Sequence, residues 1–266
     1  MSSPSVLPDL NPTYGALLVG VYFAIFFQGV LTVQTYIYFE SFPEDPWGMK
    51  SLVTIVWLLD VAHLVLICQT AYYYLVSNWG NQQALLSTIP ILDLHLILMT
   101  LSIMACQSFY VNRVWKFSKN ILLTGLLGTA SLTSGILYFT LTAQLLQNRS
   151  VETILKRTYL SETIAVFSVG AAVDLAIAIL MVWYLGRERT TFDRVKSLVT
   201  RLIQVSVATG LATSLLALGC LIALVASADS LIFVAIHVSL GRTYTNALLA
   251  TLNSRKRPAC ASGTSS

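Results

Sequence analysis

WLLDVAHLVLI, residues 57–67, is an apolar run interrupted by Asp60 and, one helical turn later, by His63. A run this apolar suits hydrocarbon, but a charged side chain in the middle of a membrane helix costs about 2.5 to 3.5 kcal/mol on the insertion scale. Such a residue normally faces the interior of a helix bundle or a water-filled cavity. The stretch therefore predicts a buried polar site inside a membrane protein.

The composition of the whole chain indicates the same environment. Of 266 residues, 56% are hydrophobic and 11% are charged, and the mean hydropathy is +0.73, whereas about 25% of the residues of a soluble domain are charged. The net charge is +4. Basic loops that lie beside the anionic lipid of the inner leaflet account for it, so we do not expect nucleic acid as a partner. The first expected partner is the lipid bilayer.

Seven apolar runs are long enough to cross a bilayer, which takes roughly 20 residues per helix, and they lack the two-residue alternation of a membrane strand. We therefore predict an all-α integral membrane protein, a bundle of seven transmembrane helices. An exterior segment at 1–13 precedes the transmembrane domain at 14–250, and a disordered basic cytoplasmic tail follows at 251–266. The predicted spans are 14–39, 51–76, 85–111, 121–146, 161–186, 202–226 and 230–250.

The distribution of basic residues predicts the orientation, because Lys and Arg are retained on the cytoplasmic side. With the N-terminus outside and the C-terminus cytoplasmic, twelve Lys and Arg fall on the inner side and three on the outer side. Arg242 remains in the seventh span, where we expect it to snorkel to the inner end. Asn148 begins a glycosylation sequon in an exterior loop. The expected location is the plasma membrane or an endomembrane, with several passes.

Six polar side chains in the spans form the candidate site, because they lie near the midplane or share a helical face with a residue that does. They are Asp60, His63, Tyr74, Asp174, His237 and Tyr244. Three interpretations stay open: polar pairing that fixes the helix register, a ligand or proton-relay cavity, and a catalytic site. The histidines are dispersed without an H-x-x-x-H repeat, so neither a metal nor a cofactor is expected.

Several segments carry a family resemblance, namely QTYIYFESFPEDPWGMK (34–50), WLLDVAHL (57–64), AYYYLVSNWG (71–80), VNRVWKFSK (111–119), RLIQVSVATGLATS (201–214) and YTNALLATLNSRK (244–256). The chain resembles the multi-pass membrane proteins of mushroom-forming fungi that carry the domain of unknown function 6534. The resemblance implies a topology and no activity. It places at motif positions Asp60, His63, Arg113, Asp174, Arg201, Thr209, Gly210, Thr213, Tyr244, Asn246 and Asn253.

The favoured function is binding of a small apolar or amphipathic ligand inside the bundle, in a sensor or receptor-like role. A cytoplasmic partner is then expected at the basic loop 187–201. Two alternatives stay open. The first is a membrane-embedded enzyme that acts on an isoprenoid or lipid through Asp60 or Asp174 as a buried carboxylic acid, and the second is a transporter.

Overall fold

A computed structural model describes residues 11–81, 84, 89–147, 157–187, 193–226 and 230–255. These ranges are helical throughout apart from short connections, and they contain no strand. The all-α prediction is therefore confirmed. The long helices are α1 (Ala16–Ser41), α2 (Trp47–Tyr72), α3 (Pro90–Ser118), α4 (Ile121–Gln147), α5 (Arg157–Arg187), α6 (Asp193–Ala226) and α7 (Ile232–Asn253). A π-helical turn at Asn11–Gly15 precedes α1, and another at Tyr73–Ser77 continues α2.

Six of these helices, α1 to α6, contain a stretch long and apolar enough to cross a membrane. The protein is thus a multi-pass membrane protein by length and composition. Helix α7 has 22 residues, and its polar side chains, which include Arg242, keep it outside that group. A span count of seven and the orientation stay predictions.

Two predicted loops are shorter than expected. Helix α3 continues to Ser118, and α6 begins at Asp193 rather than at 202, so Arg113 and Arg194 lie on helices. Neither extension contains glycine or proline, and nothing in its sequence ends a helix. The remainder of the basic loop at 188–192, the sequon at Asn148 and the tail from 256 onwards lie outside the described residues.

A tight turn connects α3 to α4. Lys119 adopts the left-handed conformation at φ 51°, and the side-chain oxygen of Asn120 accepts the backbone N–H of Leu122 at 3.0 Å and of Leu123 at 3.2 Å. This is the bonding of a helix N-cap. The turn therefore makes α3 and α4 antiparallel neighbours.

Helix α7 is the central helix of the bundle. It packs against α1, α6, α3 and α2, and nearly every residue from His237 to Leu252 is buried. Its approach to α1 is so close that a Cβ atom on Gly20 would lie 2.7 Å from the Cα atom of Ala235. Polar residues on α7 are consequently surrounded by protein rather than by lipid.

An ion pair outside the spans connects the end of α7 to the turn between α1 and α2. One guanidinium nitrogen of Arg255 lies 2.6 Å from Oδ2 of Asp45, and the other lies 3.3 Å from Oδ1. The guanidinium also stands 4.3 Å from the ring centroid of Phe42. Hydrogen bonds from Arg255 are the main cause that lowers the pKa of Asp45, with a smaller contribution from the Tyr38 hydroxyl.

Replacing Asp45 by asparagine should lower the free energy of unfolding by up to about 1 kcal/mol near neutral pH, because the pair is partly exposed. A carboxyl whose pKa is lowered on folding stabilises the protein above its unfolded pKa and ceases to do so as the pH falls through its folded pKa. The difference between wild type and variant should therefore shrink below about pH 4. Thermal unfolding in detergent measures it. Glu44→Gln, on the same exposed turn, is the control, and a difference independent of pH would contradict this account.

Candidate functional site

Helix α7 presents polar side chains to two different sides of the bundle. Arg242 and Thr245 are about 60° apart around the helix, whereas Tyr244 points roughly 160° away from Arg242. Each side contacts a different aspartate of the predicted site. We call these groups the Arg242 network (Gln28, Asp60, His63, Arg242, Thr245) and the Asp174 network (Gln107, Ser131, Asp174, Tyr244).

The Arg242 network connects α7 to α1 and α2. Arg242 donates to the carbonyl of Asp60 at 3.1 Å, contacts Nδ1 of His63 at 3.1 Å and donates to the side-chain oxygen of Gln28. The nearest guanidinium nitrogen is 3.8 Å from Oδ2 of Asp60, and the Thr245 hydroxyl donates to that same oxygen at 2.6 Å. The buried carboxylate of Asp60 therefore has both a cation and a hydrogen-bond donor.

The expectation that Arg242 snorkels is wrong. Its side chain is 1% exposed and lies inside the bundle, about halfway along α7. There its two terminal guanidinium nitrogens bind to groups on α1 and α2, so they do not need to reach water, while Nε has no hydrogen-bond partner among the described residues. The sequence did contain a signal for this ion pair. One arginine and several carboxylates lie within the apolar segments, and in lipid neither charge is stable without the other.

The Asp174 network connects α5, α3, α4 and α7. The amide of Gln107 donates to Oδ1 of Asp174 at 3.1 Å, and the Tyr244 hydroxyl donates to Oδ2. The Ser131 hydroxyl donates to the amide oxygen of Gln107 at 2.6 Å, which fixes that amide with its nitrogen toward the carboxylate. Both groups that bond to Asp174 are uncharged.

The other predicted residues, His63, His237 and Tyr74, pack against the rings of neighbouring side chains. His63 faces His95 of α3, with ring centroids 5.3 Å apart. His237 stacks on Tyr138 at 6.2 Å and meets the edge of Phe167 at 5.1 Å.

Tyr74 packs on Tyr14 at 4.7 Å, about 21 Å along the helix axis from Asp60. The six predicted residues thus do not form one cluster. No group of three potential ligands capable of holding a metal occurs among the described residues.

A cavity opens beside the Asp174 network, between α3, α5, α6 and α7. It offers about 40 Å³ to water-sized molecules, room for roughly three ordered waters. Its lining consists of Gln107, Tyr110, Asp174, Ile177, Ala178, Met181, Thr209, Gly210, Thr213, Tyr244 and Ala247. Among the described residues of this lining Asp174 is the one carboxylate, and much of the remaining wall is apolar. We call it the Asp174 cavity.

The Asp174 cavity lies toward one end of the bundle. Met181 stands close to the end of the α5 span at Tyr184, and Thr209 stands close to the start of the α6 span at Val207. At Gly210 the two helices nearly touch, because a Cβ atom there would lie 2.6 Å from Cβ of Ala178. The cavity therefore borders the ends of α5 and α6 that lead into the basic segment 187–201.

Sequence reasoning did not assign the partners Gln28, Gln107 and Thr245 to the site. Gln107 shares a helical face with Thr100 and Asp93, a polar stripe on an otherwise apolar span, so a signal for it existed. Gln28 and Thr245 had none, because a single uncharged polar residue in a span is common. Which face of α7 meets which aspartate depends on packing against four helices.

Comparisons with known proteins bear on the C-terminal third of the chain. No curated protein and no solved structure matches the chain. A family model does match residues 170–257, and its description is a family of unknown function (DUF6534). This range contains the whole lining of the Asp174 cavity except Gln107 and Tyr110. The origin in mushroom-forming fungi stays a prediction. Over residues 170–257, from the second half of α5 through α7, the chain is therefore similar to this family of unknown function, as its resemblance implied.

Proposed function

We propose that this membrane protein binds a small amphipathic molecule in the Asp174 cavity, in a sensor or receptor-like role. The observation that carries the proposal is the carboxylate of Asp174, which lines a cavity with largely apolar walls. A few placed polar groups in a mostly apolar concave site are typical of small-molecule sites. The polar end of the ligand would meet Asp174, and its apolar part would lie along Ile177 and Met181.

The contrast with Asp60 supports this choice of site. Asp60 already has Arg242 and Thr245 as partners, and it does not line the cavity. A buried charge whose counter-ion is supplied by another helix acts as an interhelical connection, whereas both protein partners of Asp174 are uncharged. We therefore assign the Arg242 network to bundle structure and the Asp174 network to binding.

The position of the cavity supports a sensor or receptor-like role. Helices α5 and α6 both line it, and their continuations border the basic segment 187–201. At the close contact between Gly210 and Ala178, a ligand that separated the two helices would also move the ends of that segment. A cytoplasmic partner at 187–201 would detect this movement, because a ligand shifts an equilibrium only if it binds one arrangement better.

A membrane-embedded enzyme is the second candidate, favoured by the same carboxyl group at the wall of the cavity. General-acid chemistry on a lipid needs a protonated acid that can give up its proton. Gln107 and Tyr244 both donate hydrogen bonds to Asp174, an arrangement that stabilises the charged carboxylate. The hydrogen-bond directions therefore favour binding over proton donation.

Native mass spectrometry of the protein in lipid nanodiscs tests the proposal. We expect wild type to carry a co-purified small molecule that is reduced at least several-fold in Asp174→Asn and in Ala247→Leu, which fills the cavity. Glu40→Gln, an exposed carboxylate-to-amide change at the end of α1, should retain it. A molecule retained equally in all four proteins, or none in wild type after mild extraction, would contradict the proposal. Turnover of the molecule by wild type would favour the enzyme.

A further inference from the structure

We propose that the polar end of the ligand is a protonated amine. This inference depends on the proposed function, because it concerns the same Asp174 cavity. It follows from three features of the cavity: the direction of its hydrogen bonds, its charge and the chemistry of its walls.

The hydrogen bonds at Asp174 suit an ionised carboxylate. The amide of Gln107 donates to one carboxylate oxygen and the Tyr244 hydroxyl donates to the other. Ser131 fixes the amide by donating to its oxygen at 2.6 Å. An ionised carboxylate accepts only, and each of its oxygens takes up to two bonds. Asp174 therefore has the capacity to accept a further donor from the cavity.

The charge of Asp174 has no protein partner among the side chains that the structure describes. Two ion pairs occur among them, Arg242 with Asp60 and Arg255 with Asp45. Asp174 is only 7% exposed, and a buried carboxylate is costly unless it is paired. A ligand that brings a cation would remove this cost, which a neutral ligand would leave in place.

The walls distinguish an organic ammonium from a metal ion. Ile177, Met181 and Ala247 present apolar surface, which methylene groups cover and which a hydrated ion does not. Tyr110 and Tyr244 add aromatic rings, and ring faces attract organic cations. The cavity thus combines an anion with apolar and aromatic surface, the complement of a short alkylammonium.

Equilibrium dialysis with radiolabelled n-propylamine and 1-propanol tests the inference, because the two probes suit the size of the cavity, share a chain and differ in charge at neutral pH. Empty nanodiscs correct for partition into lipid. For wild type we expect saturable binding of propylamine at least about tenfold tighter than of propanol, the lower end of the effect of a close charge pair. Asp174→Asn should reduce the ratio to near one, and Glu40→Gln should leave it unchanged.

The outcomes separate this inference from the proposed function. Equal affinity for both probes in wild type would overturn the amine and leave the cavity as a binding site. An amine preference that survives in Asp174→Asn would also overturn it, as would displacement of propylamine by millimolar sodium chloride but not by ethylammonium chloride. Saturable binding of neither probe would contradict both proposals. If Asp174→Asn does not fold, Ala247→Leu serves instead, since it keeps the carboxylate and should lose both probes.

Discussion

Replacing Arg242 by methionine is expected to lower the free energy of unfolding by about 3 to 5 kcal/mol, the usual cost of removing one partner of a buried ion pair. The substitution leaves the Asp60 carboxylate buried without a cation, and it removes the donor to Gln28 and the contact with His63. Methionine has a similar length, so loss of packing contributes little. Thermal or urea unfolding of the protein in detergent measures the loss.

Two further variants test the electrostatic cause. Arg242→Met combined with Asp60→Asn should be more stable than Arg242→Met alone, because no uncompensated charge remains. Arg255→Met is the matched control: its guanidinium is also paired, but its side chain is 35% exposed, so the loss should stay below about 1 kcal/mol. Strictly additive effects of the two substitutions at 242 and 60 would show that the pair does not act as a unit.

Gly20→Ala should lower the free energy of unfolding by about 3 kcal/mol, the upper end of the usual range for overpacking. The new Cβ atom would lie 2.7 Å from the Cα atom of Ala235 and 3.0 Å from its Cβ atom. Backbone cannot move aside as a flexible side chain does, so α1 and α7 must separate. The separation would also disturb the bond between Gln28 and Arg242.

Gly29 provides a control on the same helix. A Cβ atom there meets nothing within 4 Å, so Gly29→Ala should stay within about 1 kcal/mol of wild type and could only gain helix propensity. Combining Gly20→Ala with Ala235→Gly removes the contact with Cβ but keeps the shorter one with Cα, so recovery should be partial. Equal stability of Gly20→Ala and Gly29→Ala would contradict the close packing of α1 on α7.

The helices were predictable because a single physical requirement determines them. Lipid leaves no other partner for the backbone polar groups, so each long apolar run must be helical. Errors occurred at the ends, as at Asp193, where an amphipathic helix continues past the apolar part. Hydropathy detects the change of solvent there and not the end of the backbone hydrogen bonding.

The candidate site was predictable in part. Depth and charge identified Asp60, His63 and Asp174 as interior residues, and all three are buried. Their partners depend on how each helix is rotated about its axis, which a polar stripe constrains on α2. No such stripe fixes the rotation of α7, because polar and apolar side chains are both buried on several of its faces. The division of the polar residues into two networks, and the cavity beside the Asp174 network, could therefore be recognised only from the structure.

The central position of α7 has a consequence for biogenesis. Of the seven described helices it is synthesised last, yet α1 and α2 depend on it for the counter-ion of Asp60 and a donor to Gln28. Until α7 has been synthesised, Asp60 and Gln28 therefore lack these partners. Helix α7 itself is not among the six described helices that are long and apolar enough to cross a membrane. A chain that stops before 232 would keep the apolar clusters formed by α3, α4 and α5, but it would lack the counter-ion of Asp60 and the α7 side chains of the cluster around Leu248.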